Sequence, residues 1–393
     1  MNAFRYHKIL IAWLLLSPGG LMFGQASQRV SQQFMFKHIL SENINLEKGL
    51  SQNSVYSLAQ DNEGLIWIGT WDGLNVYDGY NFKIFGKEHG LSNETIRTLH
   101  FSGRQLWIGT ENGLNRMDME SRKIDVFYAI ENDTNSLTNN WVNHIYEDLS
   151  GRIWISTKSG ISEYLPETET FRRIFSRENS NPLRSNQFNM ICQDSLRNYW
   201  LATHYGLVHY ENNTGTISRY FHKPGDRNSL PDNQVNRIAA DEFGNVWAGT
   251  KKGLVLYNKK NERIQHHFNG IDLNEQIGSV EIRSLVYEPS VGLWVGTGGY
   301  GLYFLDYKTN TFTSFRHDNS RIYSLSDNRI QHIMIDSQGI IWAGTFNGLN
   351  IIDRKAPRFR LYRNKTGETN TLANNAVEGK SKGYLGFRRV KSH

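Results

Sequence analysis

The sequence predicts an all-β fold, a seven-bladed β-propeller of four-stranded antiparallel blades. Three observations carry that expectation. Seven tryptophans, Trp67, Trp107, Trp154, Trp200, Trp247, Trp294 and Trp342, recur at spacings of 40, 47, 46, 47, 47 and 48 residues, a period typical of propellers and solenoids. A small residue and a threonine follow each one, as in Gly69-Thr70, Ser156-Thr157, Ala202-Thr203 and Gly344-Thr345, and a glycine then opens the next run. The runs between turn signals are of strand length, and none shows a convincing helical period.

Within the repeat, each element has a local reason. Twelve residues before most of the tryptophans stands an apolar residue (Val55, Val142, Phe188, Val235, Ile282, Ile330), and six before stands an acid (Asp61, Asp148, Asp194, Asp241, Glu288, Asp336). The second repeat is one residue shorter, with Ile96 eleven before Trp107. The unit reads strand, Asp-x-x-Gly turn, tryptophan strand, x-Gly turn, strand, linker, aromatic strand, the last expected at Asn81–Phe85, Ile124–Tyr128, Thr170–Phe175, Ile217–Phe221, Ile264–Phe268 and Thr311–Phe315. Gly64, Gly151, Gly244 and Gly339 suit turn positions of positive φ, and Asp72-Gly73, Asn112-Gly113 and Asn347-Gly348 are hairpin signals. A lone sheet of this kind has two apolar faces and must stack on its neighbours, and closing the ring buries every face. The tryptophans are therefore expected as wedges between blades, and the turn acids as structural groups.

The ends read differently. Residues 1–26 place Arg5 and Lys8 before the apolar run Ile9–Leu16, a Pro18-Gly19-Gly20 break and the small-x-small step Gly24-Gln25-Ala26, the layout of a signal peptide. The expected organisation is a signal peptide over 1–26, the propeller over 27–364, and over 365–393 a truncated, disordered start of an eighth repeat. Asn370 to Val377 open that repeat as others open, but the positions of the turn acid, turn glycine and tryptophan hold Gly383, Gly386 and Arg389. Export to the periplasm or outside the cell is expected, with no membrane insertion of the mature chain, because no other stretch is apolar enough to span a bilayer. Phe34–Leu40 and Arg358–Arg363 both compete for the outer edge of blade seven. The N-terminal strand is expected there, antiparallel to Leu349–Asp353, because its pairing joins the two ends of the ring.

The net charge of +6 and pI of about 9.1 invite a nucleic-acid reading that the location of the charge excludes. Eleven Lys/Arg against two Asp/Glu fall in residues 354–393 and two more basic residues in the first 26, which leaves residues 27–353 net acidic. The one cysteine, Cys192, excludes an internal disulfide framework and is expected as a buried, inert thiol. No metal-ligand, nucleophile-elbow or phosphate-loop motif is present. No catalytic residue, metal site or cofactor is therefore assigned, and His266-His267 is expected as a solvated surface pair.

A ligand site is argued from topology. The loops leading into the first strand and joining the second to the third lie on one face of the ring. Trp71 and Trp141 fall outside the repeat register in or beside those loops, and the same face receives Glu111, Lys158, His204, Tyr205, Lys251, Lys252, Tyr300 and Phe346. Aromatic planes with hydrogen-bonding groups in a concave mouth suit a carbohydrate or another polar ligand.

The repeats open with sequences such as Leu91-Ser92-Asn93, Leu137-Thr138-Asn139-Asn140 and Leu325-Ser326-Asp327-Asn328, and carry Leu-Trp-Ile-Gly-Thr at 106–110 and Ile-Trp-Ala-Gly-Thr at 341–345. Over residues 34–353 this pattern resembles the two-component regulator propeller repeat. The resemblance implies the periplasmic sensor part of hybrid two-component systems of Bacteroidetes, in which two propellers and a small β-sandwich precede a membrane helix and a histidine kinase. It further implies an oligosaccharide ligand, a second propeller and a dimer partner in the full-length plan, and no enzyme activity in this chain, which carries no kinase. The alternatives are an exported propeller lyase or glycan-active enzyme, and a protein-interaction scaffold.

Overall fold

The small residue that precedes each threonine sets how closely two blades approach. A Cβ built on Gly249 would lie 2.5 Å from Ile282 Cγ2, and one on Gly69 2.6 Å from Ile96 Cγ2. Gly109 meets Val142 in the same way, Gly296 meets Ile330, and Gly344 meets Val55. The apolar residue twelve before a tryptophan thus seats on the bare backbone of the preceding blade. Blades three and four hold buried Ser156 and Ala202 there, the next smallest side chains.

The computed structural model describes residues 35–39, 49–175, 187–321 and 324–354. Seven four-stranded antiparallel sheets follow one another. Blade one is Val55–Gln60, Ile66–Thr70, Leu74–Tyr77 and Phe82–Phe85, and blades two to six repeat that order. The innermost strands contact one another in sequence, and Val55–Gln60 of blade one also contacts Ile330–Ile335 of blade seven, so the ring is closed. Blade seven takes three strands from the end of the repeat array and its outermost strand, Met35–Ile39, from the N-terminal side. Met35 lies opposite Asp353 and Ile39 opposite Leu349, the antiparallel pairing expected from the sequence. Arg358–Arg363, residues 1–26 and residues 365–393 lie outside the described residues.

All seven repeat tryptophans are buried, each in a cluster shared with the next blade. Trp67 packs with Ile96, Leu106 and Ile108, and Trp200 with Val235, Val246 and Ala248. Trp342 packs with Val55, Ile66 and Ile68, which closes the circle. The turn acid serves the indole as well as the turn. Asp61 Oδ1 accepts from the Glu63 and Leu65 amides while Oδ2 accepts from Trp67 Nε1 at 2.9 Å. Trp154, Trp200 and Trp342 donate in the same way to Asp148, Asp194 and Asp336 at 2.9 to 3.0 Å. Trp294 reaches Glu288 at 3.4 Å, and Trp247 donates instead to Tyr307 of the following blade. In the shortened second repeat no acid stands six before the tryptophan, and Trp107 Nε1 is buried without a partner.

The x-Gly turns stitch neighbouring blades. Each blade's threonine donates its hydroxyl to the carbonyl of the glycine that follows, as Thr203 to Gly206 at 2.8 Å. In blades one, two, four, six and seven that glycine's amide then donates to the next blade's leading loop, as Gly206 to Asn233 at 2.7 Å, and Gly348 to Asn53 at 2.7 Å completes the ring. Gly206 has φ of +112°, and a side chain there would strike the Tyr220 carbonyl, so only glycine serves.

Blade five departs from the repeat. Its outer strand ends at Gln265 instead of running to Phe268, and a small hairpin (His267–Phe268 with Ile271–Asp272) and a short helix, Leu273–Ile277, capped by Asp272, follow. His266 is half-buried, with Nε2 2.8 Å from the Ser229 carbonyl and Nδ1 3.0 Å from Asn274 Nδ2. This corrects the expectation of a solvated histidine pair: the insertion turns His266 inward, while His267 stays exposed and faces Asp272. Cys192 is buried and free, and burial pushes its thiol up to about 12.

Gly249→Val is expected to overpack the contact with Ile282 and destabilise the chain by ~1–3 kcal/mol, whereas Gly299→Val, with nothing within 4 Å, leaves the melting temperature nearly unchanged; equal effects contradict the packing account. A second outcome concerns pH. Burial opposes ionisation of Asp148, but hydrogen bonds from Trp154, Tyr199 and the Arg152 and Ser150 amides outweigh it and hold the carboxyl at about 2, below its ordinary 3.8. The stability this adds is complete above the ordinary value and is lost as pH falls toward 2. Melting curves between pH 6 and 3 should therefore fall more steeply for the wild type than for Asp148→Asn, and parallel curves contradict the assignment.

Candidate ligand site at the ring mouth

Every innermost strand carries a β-bulge one residue after its first apolar position. Pairing with the second strand steps from Val55 to Ser57 in blade one, from Val142 to His144 in blade three and from Val235 to Arg237 in blade five, and likewise in the other four. A bulge adds a residue that the partner strand does not oppose and re-aims its side chain. The seven added residues, Tyr56, Arg97, Asn143, Asn189, Asn236, Arg283 and Gln331, all line one cavity of about 520 Å³, open at the centre of the ring. That volume suits a small oligosaccharide or a ligand of similar size.

Two more positions per repeat feed the same mouth. One is the residue just before the apolar position, which contributes Trp141, Gln187, Gln234 and Glu281. The other is the first residue after the threonine, which contributes Trp71, Lys158, His204 and Phe346.

Three of the bulged residues latch the ring from within. Asn143, Asn189 and Asn236 donate to the carbonyls of Phe188, Val235 and Ile282 at 2.9, 2.7 and 3.1 Å, each the first inner-strand residue of the next blade. Elsewhere in the mouth, aromatic groups and cations alternate. Tyr56 lies 5.9 Å from Trp71 and 6.5 Å from Phe346, centroid to centroid. Arg97 stands over both Tyr56 and Trp141, and Lys158 Nζ is 3.0 Å from the centre of the Trp141 ring. Trp141 therefore holds cations, while Trp71, 51% exposed, keeps its ring open to solvent.

The mouth is electropositive at neutral pH. Glu281 is clamped by Arg283 through Nε and Nη2, both at 2.9 Å, and Glu111 lies 3.7 Å from Arg97. Arg237 is pushed down to about 10 by burial and then by Arg97, which leaves it charged. Burial carries His144 down to about 3 and His332 to about 4, with Arg237 acting in the same direction, and both stay neutral. Burial, Lys251 and Lys158 also lower His204. Among the described residues no group of three candidate metal ligands occurs.

Of the ten residues singled out from the sequence, Trp71, Trp141, Lys158, His204 and Phe346 line the cavity. Glu111 stands at its rim through Arg97. Tyr205, Lys252 and Tyr300 do not line it: they occupy the outer positions of their turns and point to solvent, 60%, 64% and 53% exposed. Lys251 does not line it either and acts on the mouth only through its charge on His204. The bulged residues were missed because plain strand alternation gives no reason to turn them toward the axis. Their signal was present, since a polar or aromatic residue follows the apolar position in all seven repeats.

With the geometry in hand, comparison identifies the repeat. The family model described as two component regulator propeller matches residues 49–72, 229–252 and 324–347, which fall in blades one, five and seven. Three of the seven blades thus carry a segment that matches this repeat. The extracellular domain assigned to a hybrid two component system of B. thetaiotaomicron is 27% identical, with a TM-score of 0.71 over 87% of this chain and 45% of that domain. A second such extracellular domain from that organism is 25% identical, with a TM-score of 0.63 over 81% of this chain and 39% of its own length. The chain thus spans less than half of either. Histidine kinase P4 of Formosa agariphila is 57% identical over 37 residues, 9% of this chain and 3% of that protein. A streptogramin B lyase, at 14% identity and a TM-score of 0.60 over 81% of this chain and 97% of its own, shares the fold. No helix among the described residues is long and apolar enough to cross a membrane.

Two substitutions at equivalent bulged positions test the geometry. Asn189→Ala strands the buried Val235 carbonyl and is expected to cost ~1–3 kcal/mol of stability. Gln331→Met should cost little or nothing, because Gln331 Nε2 is buried without a partner. Chemical denaturation reads both, and the reverse order contradicts the assignment.

Proposed function

We propose that this chain of two component regulator propeller repeats is the ligand-binding propeller of an extracytoplasmic sensor, placed in the periplasm, and that an oligosaccharide fragment seats in its ring mouth. The observation that carries the reading is the sevenfold bulge, which turns seven side chains toward one cavity, four of them not used to latch the next blade. Trp71 offers an open ring for a sugar face, and the amides and guanidinium groups around it suit hydroxyls. Likeness to extracellular domains of two component systems supports the sensory setting. In that setting binding is relayed to a kinase elsewhere, with a second propeller and a dimer partner as the route.

The reading is non-catalytic. Glu281 and Glu111 each face an arginine, so neither is offered as a free acid or base to a bound ligand.

Isothermal titration calorimetry of the full chain against a panel of neutral and acidic oligosaccharides tests it. Heat is expected with at least one member, and Trp71→Ala should weaken that binding about tenfold, ~1.4 kcal/mol, without lowering the melting temperature. No heat with any member contradicts the proposal.

A further inference from the structure

We infer that the ring mouth selects an oxyanion: its ligand carries a carboxylate or sulfate group that docks on Arg237 with help from Gln331. The inference rests on the reading of the mouth as the ligand site and names the charge class of what binds there.

The argument begins with how the mouth's cations are satisfied. Arg283 is neutralised by Glu281 at 2.9 Å, and Arg97 is shared among Glu111, Tyr56 and Trp141. Lys158 rests on Trp141. Arg237 differs. Its one hydrogen bond runs from Nη1 to the carbonyl of its own neighbour Asn236 at 2.8 Å, and no carboxylate among the described residues comes within 4 Å. A guanidinium carries five donors and no acceptor, so most of its bonding capacity faces the cavity unused.

Beside this stands a second, independent observation. Gln331, 9% exposed and aimed into the cavity by its bulge, buries Nε2 with no partner. An unpaired buried donor is costly, and Gln331 Nε2 in the same mouth as an arginine with spare donors calls for a ligand rich in acceptors. A hydroxyl would satisfy single bonds but leave the Arg237 charge uncompensated in a partly dry site. A carboxylate or sulfate accepts only, matches the planar fork of a guanidinium in bidentate fashion and supplies the missing charge. Neutral His144 and His332, at the equivalent positions of blades three and seven, add no competing charge.

The same chemistry can come from a uronic acid or from a sulfate ester, and the test separates them. Calorimetry and thermal melts are run at fixed ionic strength on the full wild-type chain, on Arg237→Gln and on Lys252→Gln, an outward-facing control. The probes are trigalacturonate, a sulfated disaccharide, neutral galactotriose, sodium sulfate and a tripeptide with a free C-terminal carboxylate. The wild type is expected to bind one of the two acidic saccharides at least tenfold more tightly than galactotriose, and which of them binds identifies the source. Arg237→Gln should abolish that preference without lowering the melting temperature of the free protein, and Lys252→Gln should keep it. Binding of galactotriose as tight as that of both acidic saccharides, or a preference that survives Arg237→Gln, overturns the inference while leaving the oligosaccharide reading in place. If no saccharide binds but sulfate alone raises the melting temperature of the wild type and not of Arg237→Gln, the oxyanion site stands and the oligosaccharide reading fails. Preference for the tripeptide over every saccharide makes the site a peptide-carboxylate site and overturns the saccharide assignment.

Discussion

The seating of each inner strand on a small residue of the preceding blade is the contact on which the rest of the ring depends. Ile282 on Gly249 and Val55 on Gly344 leave no room for a side chain between them. That approach brings the tryptophan of one blade into the apolar face of the next, so each cluster, such as Trp247 with Ile282, Leu293 and Val295, belongs to two blades at once. A blade by itself has half of two cores and the whole of none. Stability must then come from the circle, which explains why its closure uses several kinds of bond: the Met35–Ile39 pairing, the Trp342 cluster and the Gly348 to Asn53 bond.

The same contact makes room for a site. With the first apolar residue of the inner strand committed to the preceding blade, the bulge beside it frees one residue per blade for the axis. Asn143, Asn189 and Asn236 use that freedom to latch the next blade. Tyr56, Arg97, Arg283 and Gln331 do not, and with Arg237 and Trp71 they give the mouth its character. The bulged positions, interchangeable in a perfect repeat, are thus divided between blades three to five, which latch the ring, and blades six, seven, one and two, which do not, while Arg237 enters the mouth from blade five itself.

Most of the fold was legible in the sequence because the repeat announces itself seven times, with a tryptophan, a small residue, a threonine and a glycine each doing one job. The edge pairing of Met35–Ile39 was legible from counting strands against blades. The acid six before the tryptophan was read as a turn former, and its second bond to the indole was not seen, since that requires knowing which way the ring faces. Blade five misled, because Ile264–Phe268 looks like the other aromatic strands while the insertion after Gln265 is set by tertiary packing of Leu273 and Ile277. Five of the lining residues, Trp71 and Trp141 first, were visible as odd residues in the loops, whereas Gln187, Gln234 and Glu281 in the same loops were not singled out. The rest lay at a fixed offset inside the strands, hidden by a bulge that no single repeat betrays.

Native-state hydrogen exchange on the inner-strand amides tests the central claim most directly. If each blade is completed only by its neighbours around a closed ring, the protected amides of Val55–Gln60, Phe188–Gln193 and Ile330–Ile335 should exchange with one common opening free energy, in blades one and seven as in blade four. A gradient in which the blades next to the closure open first, while the middle blades stay protected, would contradict it.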